Sequence, residues 1–231
     1  MSFTAFPKAS LKFLARIRRN NTKEWFEAHR HEYEMLILEP SRSCVVELGE
    51  HLQALVPTVN ALPKVNGSLF RIYRDIRFSN DKTPMKSRIG LIFWQGHGKR
   101  MQSSAFYLHF SPDELFVAAG IRGFSQAMRS CYRHYIKQAR HREALHRIIT
   151  EMQGAGFAIP EPKYRRLPRE FESTLKDEVL TRYDSMYVFT TFPPDTISSE
   201  EFIPLLYETF EAMLPLQQWV YEMSLSGCEQ L

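Results

Sequence analysis

The sequence predicts an α+β fold, a largely antiparallel central sheet packed against helices, and three observations carry that prediction. Apolar residues recur at helical spacing over residues 10–56. Over 69–122 they alternate with polar residues or run unbroken between short turns, and over 125–220 helical spacing returns. The connections within the middle region are too short for parallel crossovers, so its strands pair as an antiparallel meander. A chain of 231 residues with no repeat, linker or low-complexity stretch is expected to form one α+β domain over 1–231. Its parts are a helical N-terminal segment 10–56, a sheet core 69–122 and a helical C-terminal part 125–220.

The elements follow in order. Ser10 opens a helix carrying Leu11, Leu14 and Ile17, which basic residues and Asn20-Asn21 stop. Asn21 with Glu24 three residues later has the form of a capping box. Trp25, His29, Tyr33 and Leu36 or Ile37 continue at helical spacing, and Pro40 ends that helix or begins the next. The next carries Val45, Leu48, Leu52 and Leu55. From residue 69 the period is two: Phe70, Ile72, Ile76 and Phe78 share an inward face, with Arg74 the exception, while Arg71, Tyr73, Asp75 and Arg77 share the other. Asn80-Asp81 and Pro84 mark a turn.

Ile89 to Trp94 is apolar on both faces, as an interior strand should be. Residues 105–110 alternate, with Phe106, Leu108 and Phe110 inward and Tyr107 and His109 on a more polar face, where Arg71, Tyr73 and Arg77 are placed to join them. Pro112-Asp113 turns the chain into Leu115–Ile121. Helix returns at Ser125 with Met128, Cys131 and Tyr135 inward, then through Leu145, Ile148 and Met152 to Gly154 and Gly156. A basic loop KYRRLPRE, a short helix near 171–183 and a strand at 186–192 follow. The last helix turns Phe202, Leu205, Phe210, Met213 and Leu216 inward, and Pro215 is expected to kink or end it.

Composition narrows the function classes. A net charge of +4 favours anionic partners in general without specifying nucleic acid. Three cysteines, none in a CxxC pair, suggest neither a disulfide framework nor a zinc site. No 18-residue apolar stretch is present and the N-terminal apolar runs are short, so a cytoplasmic protein without a membrane partner is expected. The common nucleotide, metalloprotease and hydrolase motifs are absent, and no metal or cofactor is implied.

The strongest chemical signal is RIYRDIRFSNDKTPMKSR, residues 71–88, which packs six basic residues around two aspartates and a turn. Arginine forks and lysine ammonium groups suit phosphate or carboxylate oxygens. Arg71, Arg74, Arg77, Lys82 and Lys86 are therefore candidate ligand contacts. Asp75 and Asp81 either orient these cations or act as acid or base. The competing reading is a structural ion network in which the aspartates pair with the arginines and cap the turn. His109 is a packed histidine or, beside an arginine-lined surface, a proton-transfer group. Arg122, following a strand end, is a second anion contact, and Lys163, Arg166 and Arg169 of the second basic loop can close over a ligand. A phosphate-bearing small molecule is the expected ligand, in a binding protein or an enzyme. A nucleic-acid-binding or regulatory module, using Tyr73, Phe78, Tyr107 and Tyr164 for stacking, is the alternative.

Several of these stretches resemble a known family. NNTKEWFEAHRHEY (20–33), RIYRDIRFSNDKTPMKSRIG (71–90), YLHF (107–110) and AAGIRG (118–123) look like the motifs of the domain of unknown function 2461 family, found in bacteria and fungi. The resemblance implies that Arg74, Asp75, Arg77, Asp81, Lys82 and Lys86 belong to that family's most recognisable segment; it implies no reaction. Met85 stands where the family usually has tyrosine. EFESTLKD after Arg169 replaces its usual glycine, aromatic and Asp-His-Pro pattern.

Overall fold

The computed structural model describes residues 3–77, 80–168, 171 and 178–226. It is a mixed α+β fold whose antiparallel sheet is not closed into a barrel. Helix α1 (Ala9–Arg19) buries Ser10, Phe13, Leu14 and Ile17. Asn20 closes it, with backbone N–H and side-chain amide both donating to the Arg16 carbonyl at 3.0 Å. The cap of α2 (Lys23–Ala28) is Thr22 rather than Asn21: its hydroxyl accepts the Trp25 N–H at 3.2 Å. Asn21 is employed elsewhere, as shown below.

Helix α3 (Arg30–Tyr33), a π-helical turn (Glu34–Leu38) and α4 (Glu39–Leu55) follow without a gap. Pro40 therefore stands in the first turn of α4, directly after the π-helical turn, and does not end the helical run. Ile37, Cys44, Val45, Leu48 and Leu52 are fully buried along this stretch.

Strands β1 (Val59–Asn60), β2 (Ile89–Gln95), β3 (Ala105–Phe110), β4 (Leu115–Ile121) and β5 (Met186–Phe192) form one sheet in sequential order. The expected pattern holds in β2, buried on both faces from Ile89 to Phe93, and in β3, where Phe106, Leu108 and Phe110 are fully buried. His109 departs from it, since its residue is also buried, at 8% exposure.

Residues 69–78 are not a regular strand. Stretches 68–74 and 84–92 instead run as a broken antiparallel ladder, through Ile92 N–H to Ser68 O, Phe70 N–H to Gly90 O, Lys86 N–H to Ile72 O and Arg74 N–H to Pro84 O, all 2.8–3.0 Å. Single bridges join Leu69 to Leu91 and Tyr73 to Met85. Ile72 is buried as expected, but Ile76, also expected inward, is 39% exposed beyond the end of the ladder. Phe78 lies outside the described residues.

The chain divides into two compact units, each made of three stretches. The first comprises Met1–Phe93, Tyr107–Val117 and Thr191–Thr209. Its core includes Phe6, whose ring centroid lies 4.5 Å from Phe110 and 5.9 Å from Phe202. The second comprises Trp94–Phe106, Ala118–Thr190 and Phe210–Leu231. It contains α5 (Gln126–Lys137), capped by the Ser125 hydroxyl, and α6 (Ala139–Gly154). Buried Tyr132 of α5 donates its hydroxyl to the Leu180 carbonyl at 2.7 Å. Leu180 lies in a 3-10 turn, Glu178–Arg182, found within the span expected to be a short helix.

Helix α7 (Phe202–Leu225) continues past Pro215 instead of ending there. Cys44 is a buried free thiol, and Cys131 is buried on the inner side of α5. Among the described residues no helix is long and apolar enough to cross a membrane.

Candidate functional site

The charged segment belongs to the first unit, and its geometry starts from the broken ladder. Because 68–74 and 84–92 hydrogen-bond each other, Asp75, Ile76, Arg77, Asp81 and Lys82 lie exposed beyond the end of the ladder. Most of the charge is organised there by local pairs. Asp75 accepts from Arg77 Nε at 3.0 Å, from its terminal nitrogen at 2.8 Å and from its backbone N–H at 3.3 Å. The same carboxylate lies 3.8 Å from Arg71. Arg74 reaches Asp81 at 3.1 Å, and Asp81 also accepts the Thr83 hydroxyl and backbone N–H.

The two lysines turn back onto the backbone, Lys82 to the Ile76 carbonyl at 2.8 Å and Lys86 to the Arg71 carbonyl at 2.9 Å. Arg77 holds the Asp75 carboxyl well below the usual carboxylate range. The Thr83 hydroxyl and N–H, with a smaller contribution from Arg74, lower that of Asp81. Both are ionised acceptors near neutral pH, a state suited to orienting arginines rather than to giving up a proton.

Sequence reasoning missed what anchors this segment to the helices. The Asn21 amide donates to the Met85 carbonyl at 3.0 Å and its oxygen accepts the Met85 N–H at 2.9 Å, the double bond pattern of a neighbouring strand. Met85 sits opposite Tyr73 in the ladder, so its outward-facing backbone groups are the ones Asn21 satisfies.

Beside it, Tyr73 donates its hydroxyl to Glu27 at 3.0 Å and packs edge-on to Phe26, with ring centroids 5.7 Å apart. Arg30 binds Glu27 through two nitrogens, each at 2.8 Å, and lowers its pKa, with Tyr73 adding to the effect. Arg18 grips Asp113 in the β3–β4 turn at 2.6 and 3.0 Å. The segments 20–33 and 71–90 are thus one interlocked structure. An asparagine with a strand-like double bond leaves no periodic trace in a sequence, which is why it reads as a cap.

His109 lies on β3 with its ring stacked on Phe116 of β4, centroids 4.9 Å apart and 19° from parallel. Its Nε2 is 3.4 Å from the Glu114 carboxylate. Tyr107 is 5.7 Å from His109 and edge-on to Phe70 at 5.9 Å, and Lys86 Nζ stands 6.0 Å from the Phe70 ring. Half-buried Phe70 therefore belongs with Tyr107, against the expectation that it points inward with Ile72. Tyr73, expected beside Tyr107, turns to Glu27 instead.

The remaining candidates are in the second unit. Arg122 is exposed between β4 and α5, Lys163 pairs with Asp184 at 2.5 Å, and Arg166 is exposed in its loop. Arg169 lies outside the described residues. Among the described residues no group of three or more His, Cys, Asp or Glu is placed to hold a metal ion.

Comparison with curated proteins and with solved structures gave no match. A family model described as "Conserved hypothetical protein (DUF2461)" matches residues 9–219, which take in α1 to α6, the sheet, the whole charged segment and most of α7, and the chain belongs to that family.

Proposed function

We propose that segment 71–88 binds a phosphate-bearing small molecule. The observation that carries this reading is the way Asp75 fixes the Arg77 guanidinium through two hydrogen bonds while also facing Arg71. Two carboxylates among six cations leave the segment strongly positive, and cations already held in place lose less freedom on meeting a ligand. Lys82 spends one of its three donors on the Ile76 carbonyl, leaving a charged donor at the same end. In this reading Asp75 and Asp81 orient cations, and a proton-transfer step, if the ligand is a substrate, falls to His109 with Glu114.

The test is calorimetric titration of the full chain with inorganic phosphate, mononucleotides and a short single-stranded oligonucleotide. Arg77→Ala and Lys82→Ala are each expected to weaken phosphate or mononucleotide binding about tenfold, the loss of one charge-assisted hydrogen bond. Absence of binding, or binding that neither variant alters, overturns the proposal. An oligonucleotide bound far more tightly than its monomer transfers the site to the nucleic-acid reading.

A further inference from the structure

We infer that the second unit carries an oxyanion site of its own, built by Arg129 and Arg133 of α5 with Lys163 and Tyr164 of the following basic loop. It would take a phosphate group, either inorganic or at the end of a small organic molecule. Neither arginine stands out in the sequence, where both read as the solvated side of an amphipathic helix.

The structure brings them together. Arg129 and Arg133 are one helical turn apart on α5, and their guanidinium carbons lie 5.6 and 5.8 Å from the centroid of the Tyr164 ring. Lys163 Nζ lies 5.9 Å from the same centroid. Three cationic groups thus converge within 6 Å of one ring. The ring face offsets part of their mutual repulsion. Asp184 offsets more by pairing with Lys163 at 2.5 Å.

Arg129 has no such carboxylate among the described residues, and its Nε is shielded from solvent without a hydrogen-bond partner. A half-buried guanidinium with an unused donor, held next to a second arginine and a lysine, is completed by an acceptor that brings negative charge and several oxygens. A phosphate group supplies both.

Charge distribution agrees. Counted over the two units, the first has 15 Lys and Arg against 15 Asp and Glu, and the second 15 against 11, so the chain's net +4 resides in the second. The local fold keeps the loop near the helix, since the Tyr164 N–H donates to the Arg182 carbonyl and the Asp184 carbonyl accepts the Phe124 N–H just before α5.

The test uses the full chain, with arginine side-chain N–H resonances followed by NMR as inorganic phosphate or phenyl phosphate is added, sulfate serving as the comparison anion. The Arg129 Nε–H signal is expected to shift with saturation. Arg129→Gln is expected to raise the dissociation constant about tenfold or more, and Arg77→Ala to leave the Arg129 shift intact. Tighter binding of phenyl phosphate than of phosphate identifies an organic monoester as the ligand; equal binding identifies inorganic phosphate. The inference is overturned if Arg129 Nε–H does not respond, or if Arg129→Gln binds within twofold of wild type while its circular dichroism is unchanged. Loss of the response in Arg77→Ala as well overturns the claim of a separate site.

Discussion

Replacing Asn21 by alanine removes both hydrogen bonds to Met85 without touching any charge in the 71–88 segment. Each bond contributes about 1 kcal/mol net, and somewhat more where water cannot fully replace the partner of the backbone group left behind. Met85 is only 1% exposed, so replacement by water is incomplete, and a local loss of about 2–3 kcal/mol is expected. That corresponds to a fall of roughly 30- to 150-fold in hydrogen-exchange protection at the Met85 amide.

Asn21→Asp refines the test. It keeps an oxygen for the Met85 N–H but places a second carboxylate oxygen against the Met85 carbonyl. Protonating the new carboxyl restores a donor, so its folded-state pKa lies above the unfolded value. Its stabilising contribution, relative to wild type at the same pH, is therefore present below about pH 4 and lost as pH rises through the folded pKa. Met85 protection within threefold of wild type in Asn21→Ala would refute the idea that this amide latches the segment to the helices.

Other outcomes follow from the same structure. Asp75, Asp81, Glu27, Glu32 and Asp113 all have carboxyls lowered by hydrogen-bonded partners. Their stabilisation is present above the unfolded carboxylate range and lost as pH falls through the lower folded values. Urea midpoints should therefore drop below about pH 4, and Asp75→Asn should flatten that decline; an unaltered acid limb contradicts the pairing. Gly120 has φ +123°, and a Cβ there would lie 2.3 Å from the Met186 carbonyl oxygen and 2.7 Å from the Tyr187 Cα. Gly120→Ala should cost at least about 3 kcal/mol, through backbone strain and a collision that no rotamer relieves; a normal melting curve would contradict it. Tyr132→Phe should cost about 1–2 kcal/mol by stranding the Leu180 carbonyl, read as a shifted denaturation midpoint.

What was legible in the sequence was whatever burial imposes periodically. Phe106, Leu108 and Phe110 announced β3, the unbroken run from Ile89 announced an interior strand, and Met128, Cys131 and Tyr135 announced the inner side of α5. Segment 69–78 also alternates, yet Ile76 is exposed, because the ladder with 84–92 stops at Arg74–Pro84 and pattern alone does not show where pairing ends. The charged residues of the candidate site were visible by type, but not their partners. Arg71 and Arg77 share one carboxylate through turn geometry, and Arg129 meets Tyr164 although the two are 35 positions apart in the chain. Pro40 and Pro215 show how loosely a proline fixes an element's end: one stands in the first turn of a helix and the other lies within one.

The threading of the chain through its two units bears on how the protein is made. The first unit takes its last stretch from Thr191–Thr209, so its contacts cannot all form until synthesis has passed Thr209. At about 5–20 residues per second, helices α1 to α4 and segment 71–88 wait several seconds or more after synthesis for Thr191–Thr209 to arrive. During that interval the broken ladder presents unpaired backbone beside exposed apolar groups, the condition under which nascent chains recruit holding chaperones or aggregate. Asn21 and Met85 are both synthesised early, and their double hydrogen bond is among the first long-range links available to close that edge.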